Sequence, residues 1–467
     1  MNPKRRRALV RAAVVTAIVV VAFGAAFGAA RLARSNPKVH VDSGPTQPPL
    51  PSQLAAASAA PSPGRDVGPG TAPTPAGVHK ALQQVLQNPG FGQRLLAHVI
   101  DAKSGKVLYD SFGHTPAAPA STGKLLTAAA ILAVRVPSYR FVTKVVDAGH
   151  GTIVIVGGGD PTLSAVPAGK PTIYPGAARM TDLVSQVEQS GVTVRRIEVD
   201  GALFRGPSIS PHWDPQDMGT SYGSPITAFM ADGARPYPKA QARSGVQPDI
   251  DAADEFAKLL GKPDLSVDSG RAPKHAKVIA RVESASLGQL ITQMLQESDN
   301  TIADVLARQV AVAQHAPASF TGACAAIRSV LARFGVPVGA GMKDGSGLSS
   351  DDRVSPVALV GVLRLISGAT GPPAAAQLHF VAGALPVGGW SGTLSTRYAT
   401  GGLAKDAGRV RAKTGTLSTV ASLAGFVRDK SGRLLIFSFD SDQTVNTFAS
   451  DAAMDDVVGK LADCGCA

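Results

Sequence analysis

The sequence predicts an α+β fold, an antiparallel sheet covered by helices, with a further domain inserted into it. Two patterns carry that expectation. Strand-like segments lie at both ends of the ordered part of the chain and helix-patterned segments lie between them, the order that lets the two ends share one sheet. From about residue 141 to 275 the regular patterning gives way to short apolar runs with many Pro and Gly, which reads as an insertion. A chain of 467 residues with 44% hydrophobic side chains has material for two or three domains. Aromatics are only 5%, so the core must be built from small and aliphatic side chains.

Residues 1–35 read as a signal or membrane anchor. Lys4, Arg5, Arg6, Arg7 and Arg11 precede an uncharged run from Ala12 to Ala30, long enough to cross about 30 Å of hydrocarbon as a helix. The basic flank keeps that end cytoplasmic and puts the bulk of the chain in the periplasm or cell wall. The run exceeds the usual core of a cleaved signal peptide, which favours an uncleaved anchor, while Gly28, Ala29 and Ala30 keep cleavage open. Residues 36–77, with Pro48-Pro49-Leu50-Pro51 and Pro61-Ser62-Pro63-Gly64, lack apolar periodicity and read as an extended linker.

Order is expected from Val78. A helix is predicted over Lys80–Leu86, and two strands over Arg94–Asp101 and Lys106–Asp110, joined by a turn at Ser104-Gly105. Pro119-Ala120 leads into a helical run from Ser121 to Val134. Strands follow at Phe141–Val146 and Thr152–Val156, then a helix near Arg179–Gln189 and a strand at Lys277–Val282. Helices are expected at Leu287–Leu295, Thr301–Ala313, Pro317–Phe334 and Pro356–Ile366. The end reads strand, strand, helix over Ala421–Asp429, Leu434–Asp440 and Ala449–Leu461. Residues 78–140 and 276–467 thus form one domain, with 141–275 inserted in it.

Net charge is +12, which suits a polyanionic partner or a solvated basic surface. No Lys/Arg stripe is interleaved with aromatics, which argues against nucleic acid. The nine histidines and three cysteines lack ligand spacing, so neither a metal nor another cofactor is expected. One bridge between Cys324 and the pair Cys464 and Cys466 is allowed outside the membrane, leaving an odd thiol.

Three short motifs carry chemistry. In Ser121-Thr122-Gly123-Lys124, at a helix start, the spacing of three puts the hydroxyl and the amine on one face, where the amine can take the proton. The helix terminus adds a field that disfavours a charged amine and favours an oxyanion. Alone this match is weak, since a chain of this size holds about one by chance. Ser298-Asp299-Asn300 offers a hydroxyl and an amide between two helices, or simply a helix cap. Lys413-Thr414-Gly415, followed by Thr416, enters an alternating strand. Lys413 and Thr414 could bind a carboxylate there, and Gly415 would let a substrate backbone approach.

The three together, in this order, resemble the penicillin-recognising serine transpeptidase/β-lactamase-like fold. The flanking residues resemble the DacB-type D-alanyl-D-alanine carboxypeptidase/endopeptidase family, the class C low-molecular-mass penicillin-binding proteins. The resemblance runs from about Val78 to Leu461. It rests on Gly157-Gly158-Gly159-Asp160-Pro161, Trp213 with Asp217-Met218, Ser224-Pro225, Asp344-Gly345-Ser346-Gly347-Leu348-Ser349, Leu385-Pro386 and Gly392-Thr393-Leu394. It implies a serine carboxypeptidase, with endopeptidase action also open, that trims peptidoglycan stem peptides and is acylated by β-lactams.

Carried onto this chain, the resemblance makes Ser121 the nucleophile and Lys124 its base, kept neutral by burial and by Lys413. Ser298 passes a proton to the leaving amine, Asn300 holds the substrate amide, and Lys413 with Thr414 engages the terminal carboxylate. The N–H groups of Ser121 and Thr416 form the oxyanion hole, and Asp217 faces the amine of a diaminopimelate side chain. Ser350 and Ser418 depart from the Arg and Gln common in the family. A β-lactamase is the nearest alternative, but no Glu follows Glu297 to activate a deacylating water. A non-catalytic wall-binding scaffold of the same fold is the other alternative.

Overall fold

The computed structural model describes residues 70–235, 246–369 and 373–466. The expected anchor at 12–30 and nearly all of the 36–77 linker lie outside the described residues. Within them, no helix is long and apolar enough to cross a membrane.

Among the described residues, ten strands form two five-stranded sheets. The first contains β1 (Arg94–Asp101) and β2 (Val107–Ser111) from the early part of the described residues. The second contains β3 (Val142–Gly149), β4 (Thr152–Val156), β5 (Arg196–Asp200), β6 (Ser266–Ser269) and β7 (Lys277–Glu283). The first is completed by β8 (Val410–Leu417), β9 (Val420–Arg428) and β10 (Leu434–Asp442). Its order is β2-β1-β10-β9-β8, antiparallel throughout, so the two ends of the chain do share a sheet. Alternation makes this possible: Ala97, Val99, Phe437 and Phe439 face one layer, while Ile100 and Ile436 face the other. Helices Pro75–Leu82 and Thr447–Ala462 cover the first face. Helices Lys124–Val134 and Pro356–Ser367 cover the second.

The second sheet, order β6-β5-β4-β3-β7, is mixed: β4, β5 and β6 are parallel, and β3 is antiparallel to both its neighbours. It extends to Glu283 rather than stopping near 275, because β7 pairs with β3 from Lys277 to Glu283. Its apolar face packs on helices Met180–Gln189 and Pro248–Leu259. The sequence pattern had shown the first of these helices but not the second, nor β5 or β6.

Two other expectations are corrected. The first helix runs over Pro75–Leu82 rather than Lys80–Leu86. Thr74 caps it, accepting a bond from Gly77 N at 3.0 Å, and Pro75 takes the first turn, where its missing N–H costs nothing. The disulfide joins Cys464 to Cys466, whose Cα atoms are 5.0 Å apart. Cys324 is free, buried in helix Phe320–Ala332 with Sγ 3.6 Å from the Asp344 carbonyl oxygen.

Candidate active site

Ser121 lies in a single 3-10 turn, Ala120–Gly123, that runs into helix Lys124–Val134. The helix, KLLTAAAILAV, is strongly helix-forming and passes through the core. Just before Ser121, Ala120 has φ 47°, a left-handed conformation that costs a non-glycine residue about 1–3 kcal/mol and persists only where its surroundings impose it.

One turn along, Lys124 is completely buried, and its amine is bonded on three sides. Nζ lies 2.8 Å from Ser121 Oγ, 2.5 Å from Asn300 Oδ1 and 2.7 Å from the Ser346 carbonyl oxygen. The first two motifs and the Asp344–Ser349 run thus meet at one nitrogen. Asp344 holds that run in shape: its carboxylate accepts from the N–H groups of Ser346, Gly347 and Ser349 and from Trp213 Nε1 at 2.7 Å.

The second motif opens helix Asn300–Ala313. Asp299 is its N-cap, accepting from Ile302 N at 3.0 Å, so the simple capping reading holds for that residue. Asn300 turns to the amine of Lys124 and donates through Nδ2 to the Tyr222 carbonyl at 3.0 Å. Ser298 has φ 57°, a second left-handed non-glycine residue at the site. Among the described residues, none is hydrogen-bonded to its hydroxyl.

The third motif lies inside β8, not at its entry, and β8 is an edge strand. Residues 386–388 pair with the outer edge as far as Ala412, whose N–H donates to the Pro386 carbonyl. Strand alternation then turns the N–H groups of Thr414 and Thr416 outward as well, beyond the point where this pairing ends. Lys413 is fully buried. Burial first, then the charges of Lys124 and Arg397, hold its amine well below the usual lysine range. Thr414 Oγ1 donates to Thr393 Oγ1 at 2.8 Å.

Gly415 also packs closely within the protein. A Cβ there would lie 2.3 Å from Ser422 Oγ, 2.8 Å from Ser121 N and 3.0 Å from Ala120 Cβ, so its missing side chain makes room for the Ser422 hydroxyl and the nucleophile's own turn. Asp217 ends a 3-10 turn, Pro215–Asp217, on the loop leading to Tyr222. Burial, then the charge of Asp214, raises its carboxyl above the usual range.

Ser346, Asp344, Thr393 and Tyr222 were not among the expected site residues. Ser346 and Tyr222 contribute through backbone carbonyls, which no side-chain pattern reveals. Asp344 and Thr393 stood in segments noted only for their family resemblance.

The chain matches the D-Ala-D-Ala carboxypeptidase 3 (S13) family over residues 78–260 and 234–464. It is 40% identical over 400 residues to carboxypeptidase Rv3627c of Mycobacterium tuberculosis, covering 84% of this chain and 85% of that protein. Carboxypeptidase DacB of Mycolicibacterium smegmatis is 38% identical over 408 residues, 85% of this chain and 86% of that one. The crystal structure of penicillin binding protein 4 (dacB) from Haemophilus influenzae superposes with a TM-score of 0.66 at 23% identity, over 82% of this chain and 98% of that one. That last likeness concerns the fold. The family model spans well over half of the chain and the two mycobacterial relatives cover more than four fifths of it, and on this ground it belongs to the D-Ala-D-Ala carboxypeptidase 3 (S13) family.

Proposed function

We propose that the chain removes the terminal D-Ala from peptidoglycan stem peptides through an acyl-enzyme on Ser121. As a member of its family it is a serine-type D-Ala-D-Ala carboxypeptidase; the residue roles are our reading. The observation behind them is the environment of the Lys124 amine. A neutral amine has two N–H groups and one lone pair. Asn300 Oδ1 and the Ser346 carbonyl accept the two N–H groups, which leaves the lone pair for the Ser121 hydroxyl. Complete burial beside a second buried amine disfavours the charged form.

In this mechanism Ser121 Oγ attacks the carbonyl carbon of the penultimate D-Ala as its proton passes to Lys124. The oxyanion is held by the N–H groups of Ser121 and Thr416, each worth about 10²–10³ in rate. The C–N bond breaks, and the departing D-Ala nitrogen receives a proton through Ser298. Water then adds to the ester carbonyl, and Ser121 leaves with its proton restored. Lys413 and Thr414 bind the terminal carboxylate. The second N–H of the Asn300 amide is available to the substrate, and Asp217 faces the ammonium of the stem peptide's diamino acid.

The same serine attacks a β-lactam carbonyl and stays acylated. Membership of a D-Ala-D-Ala carboxypeptidase family, whose substrate lies in the cell wall, supports an extracytoplasmic site of action. Residues 12–30 would tether the enzyme to the membrane, and the inserted domain would run from residue 141 through β7 to Glu283. Endopeptidase action would use the same acyl-enzyme with a cross-linking amine as leaving group.

Incubation of the native protein with a labelled penicillin tests this reading. Label on the native protein and none on Ser121→Ala is the expected result; an unlabelled native protein sinks the acyl-enzyme. Mass spectrometry of digested muropeptides then reports released D-Ala and cleaved cross-links together.

A further inference from the structure

Three consecutive residues, Asp299 and Asn300 of the second motif and Thr301 after it, are each bonded to the inserted region. Asn300 Nδ2 donates to the Tyr222 carbonyl, and the hydroxyls of Thr301 and Ser224 are 3.2 Å apart in the interior. The third link is made by charge. Asp299 uses Oδ1 for the helix cap, and its Oδ2 accepts from Tyr174 Oη at 2.9 Å and from an Arg235 guanidinium N–H at 3.4 Å. Arg235 also donates to Tyr174 Oη, closing a triangle, and its Cζ stands 5.4 Å from the centre of the Tyr174 ring. Tyr174 and Asp299 are buried. Gly233, at φ 66°, lets the chain pass close: a Cβ there would be 2.2 Å from Tyr174 Oη.

The carboxylate so fixed belongs to the residue after Ser298, whose φ of 57° must be imposed by its surroundings. A cap alone needs only one oxygen of Asp299. The second oxygen is held by a phenol and a guanidinium, next to the peptide joining Ser298 to Asp299, whose N–H donates to the Met294 carbonyl at 3.1 Å. We propose that Tyr174 and Arg235 are positioning residues, through which the inserted region holds Ser298 in place to pass a proton to the leaving amine. This rests on the role given to Ser298 above.

The test exploits the leaving group. A D-Ala-D-Ala amide needs its nitrogen protonated, whereas a thiolester analogue expels a thiolate that needs no proton. General acid catalysis is worth about 10²–10⁴, and a displaced group forfeits part of it. Tyr174→Phe and Arg235→Gln should each lower kcat/KM on the amide about ten-fold, leaving kcat/KM on the thiolester within about two-fold of the native enzyme. Arg235→Lys should recover part of the amide activity. Ser298→Ala, the reference, should show the same selectivity more strongly. A purely structural role slows both substrates alike, so equal losses in Tyr174→Phe and Arg235→Gln, or no loss on the amide, overturn the inference while Ser298→Ala remains selective. If Ser298→Ala itself slows both alike, it is the role of Ser298 that fails. Arg235 is partly exposed, so Arg235→Gln carries the test should Tyr174→Phe not fold.

Discussion

Gly347 and Ala120 pack backbone against backbone: a Cβ on Gly347 would lie 1.8 Å from the Ala120 carbonyl oxygen. Gly347 has φ 78°, so an L side chain there is strained before any collision is counted. The contact presses on the residue that precedes the nucleophile and carries its own positive φ. Gly347→Ala should therefore act on catalysis through the backbone. A shift of about 1 Å in a reacting group costs about 10²-fold in rate. The expected outcome is a loss of penicillin acylation of that order in the folded fraction, with Gly415→Ala behaving similarly because its Cβ would press on Ser121 N. Acylation of either variant at the native rate would show that the turn yields without moving Ser121.

Lys124→Met replaces the amine by a side chain of similar length and removes no apolar packing. The Asn300 Oδ1 and Ser346 carbonyl acceptors lose their donor, which costs stability by about 1–3 kcal/mol for each buried group left unpaired. The acylation rate should fall by at least about 10³, since base and nucleophile act as a unit. Stopped-flow acylation with a chromogenic cephalosporin, beside a thermal melt, separates the two effects. A variant that melts lower yet acylates at the native rate rules Lys124 out as the base.

What the sequence disclosed of this site follows a physical divide. Ser121, Lys124 and Asn300 were legible because their chemistry lies in side chains at short, fixed spacings on helix starts. The antiparallel sheet was legible from alternation in the terminal strands. The Ser346 carbonyl and the Tyr222 carbonyl were not, since any residue supplies a carbonyl and only the fold aims it. The packing of Gly415 against Ser422, Ser121 and Ala120 was not legible either: a glycine in a strand signals a close approach but not by what. The helix Pro248–Leu259 was hidden because Pro and Gly around it broke the pattern on which it would have been recognised. Cys324 could not be paired on paper, because pairing depends on distance and the chain buries it in a helix far along the sequence from Cys464 and Cys466.

Lys413 trades stability for function. Its amine is fully buried and held well below its ordinary value of 10.5. In the unfolded chain it binds a proton up to that ordinary value, and in the folded chain only up to a lower one. Between the two, the unfolded state holds more protons, so stability falls as pH drops, by about 1.4 kcal/mol per unit. Lys413→Met should therefore melt higher than the native protein at neutral pH, the difference shrinking as pH approaches 10.5. It should also lose D-Ala release, having no amine to meet the substrate carboxylate. Melting curves from pH 6 to 10 decide this, and a variant no more stable than the native protein at any pH contradicts the cost assigned to that burial.

Asp304 gives the opposite slope. It lies in helix Asn300–Ala313, completely buried, and accepts from Gly345 N at 2.7 Å through Oδ1, bracing the run whose next carbonyl holds Lys124. Burial first, then the neighbouring charge of Asp344, pushes its carboxyl up from 3.8 to about 8. Across that window the folded chain keeps the proton and the unfolded chain gives it up. The group's contribution to stability is thus complete below the ordinary value and is lost as pH rises towards about 8. Asp304→Asn keeps the oxygen that accepts from Gly345 and cannot ionise. It should flatten the fall in melting temperature between pH 5 and 8, match the native protein near pH 4, and still acylate Ser121. If the variant's melting temperature declines with pH as steeply as the native protein's, the proton on Asp304 plays no part in the stability of the Lys124 surroundings.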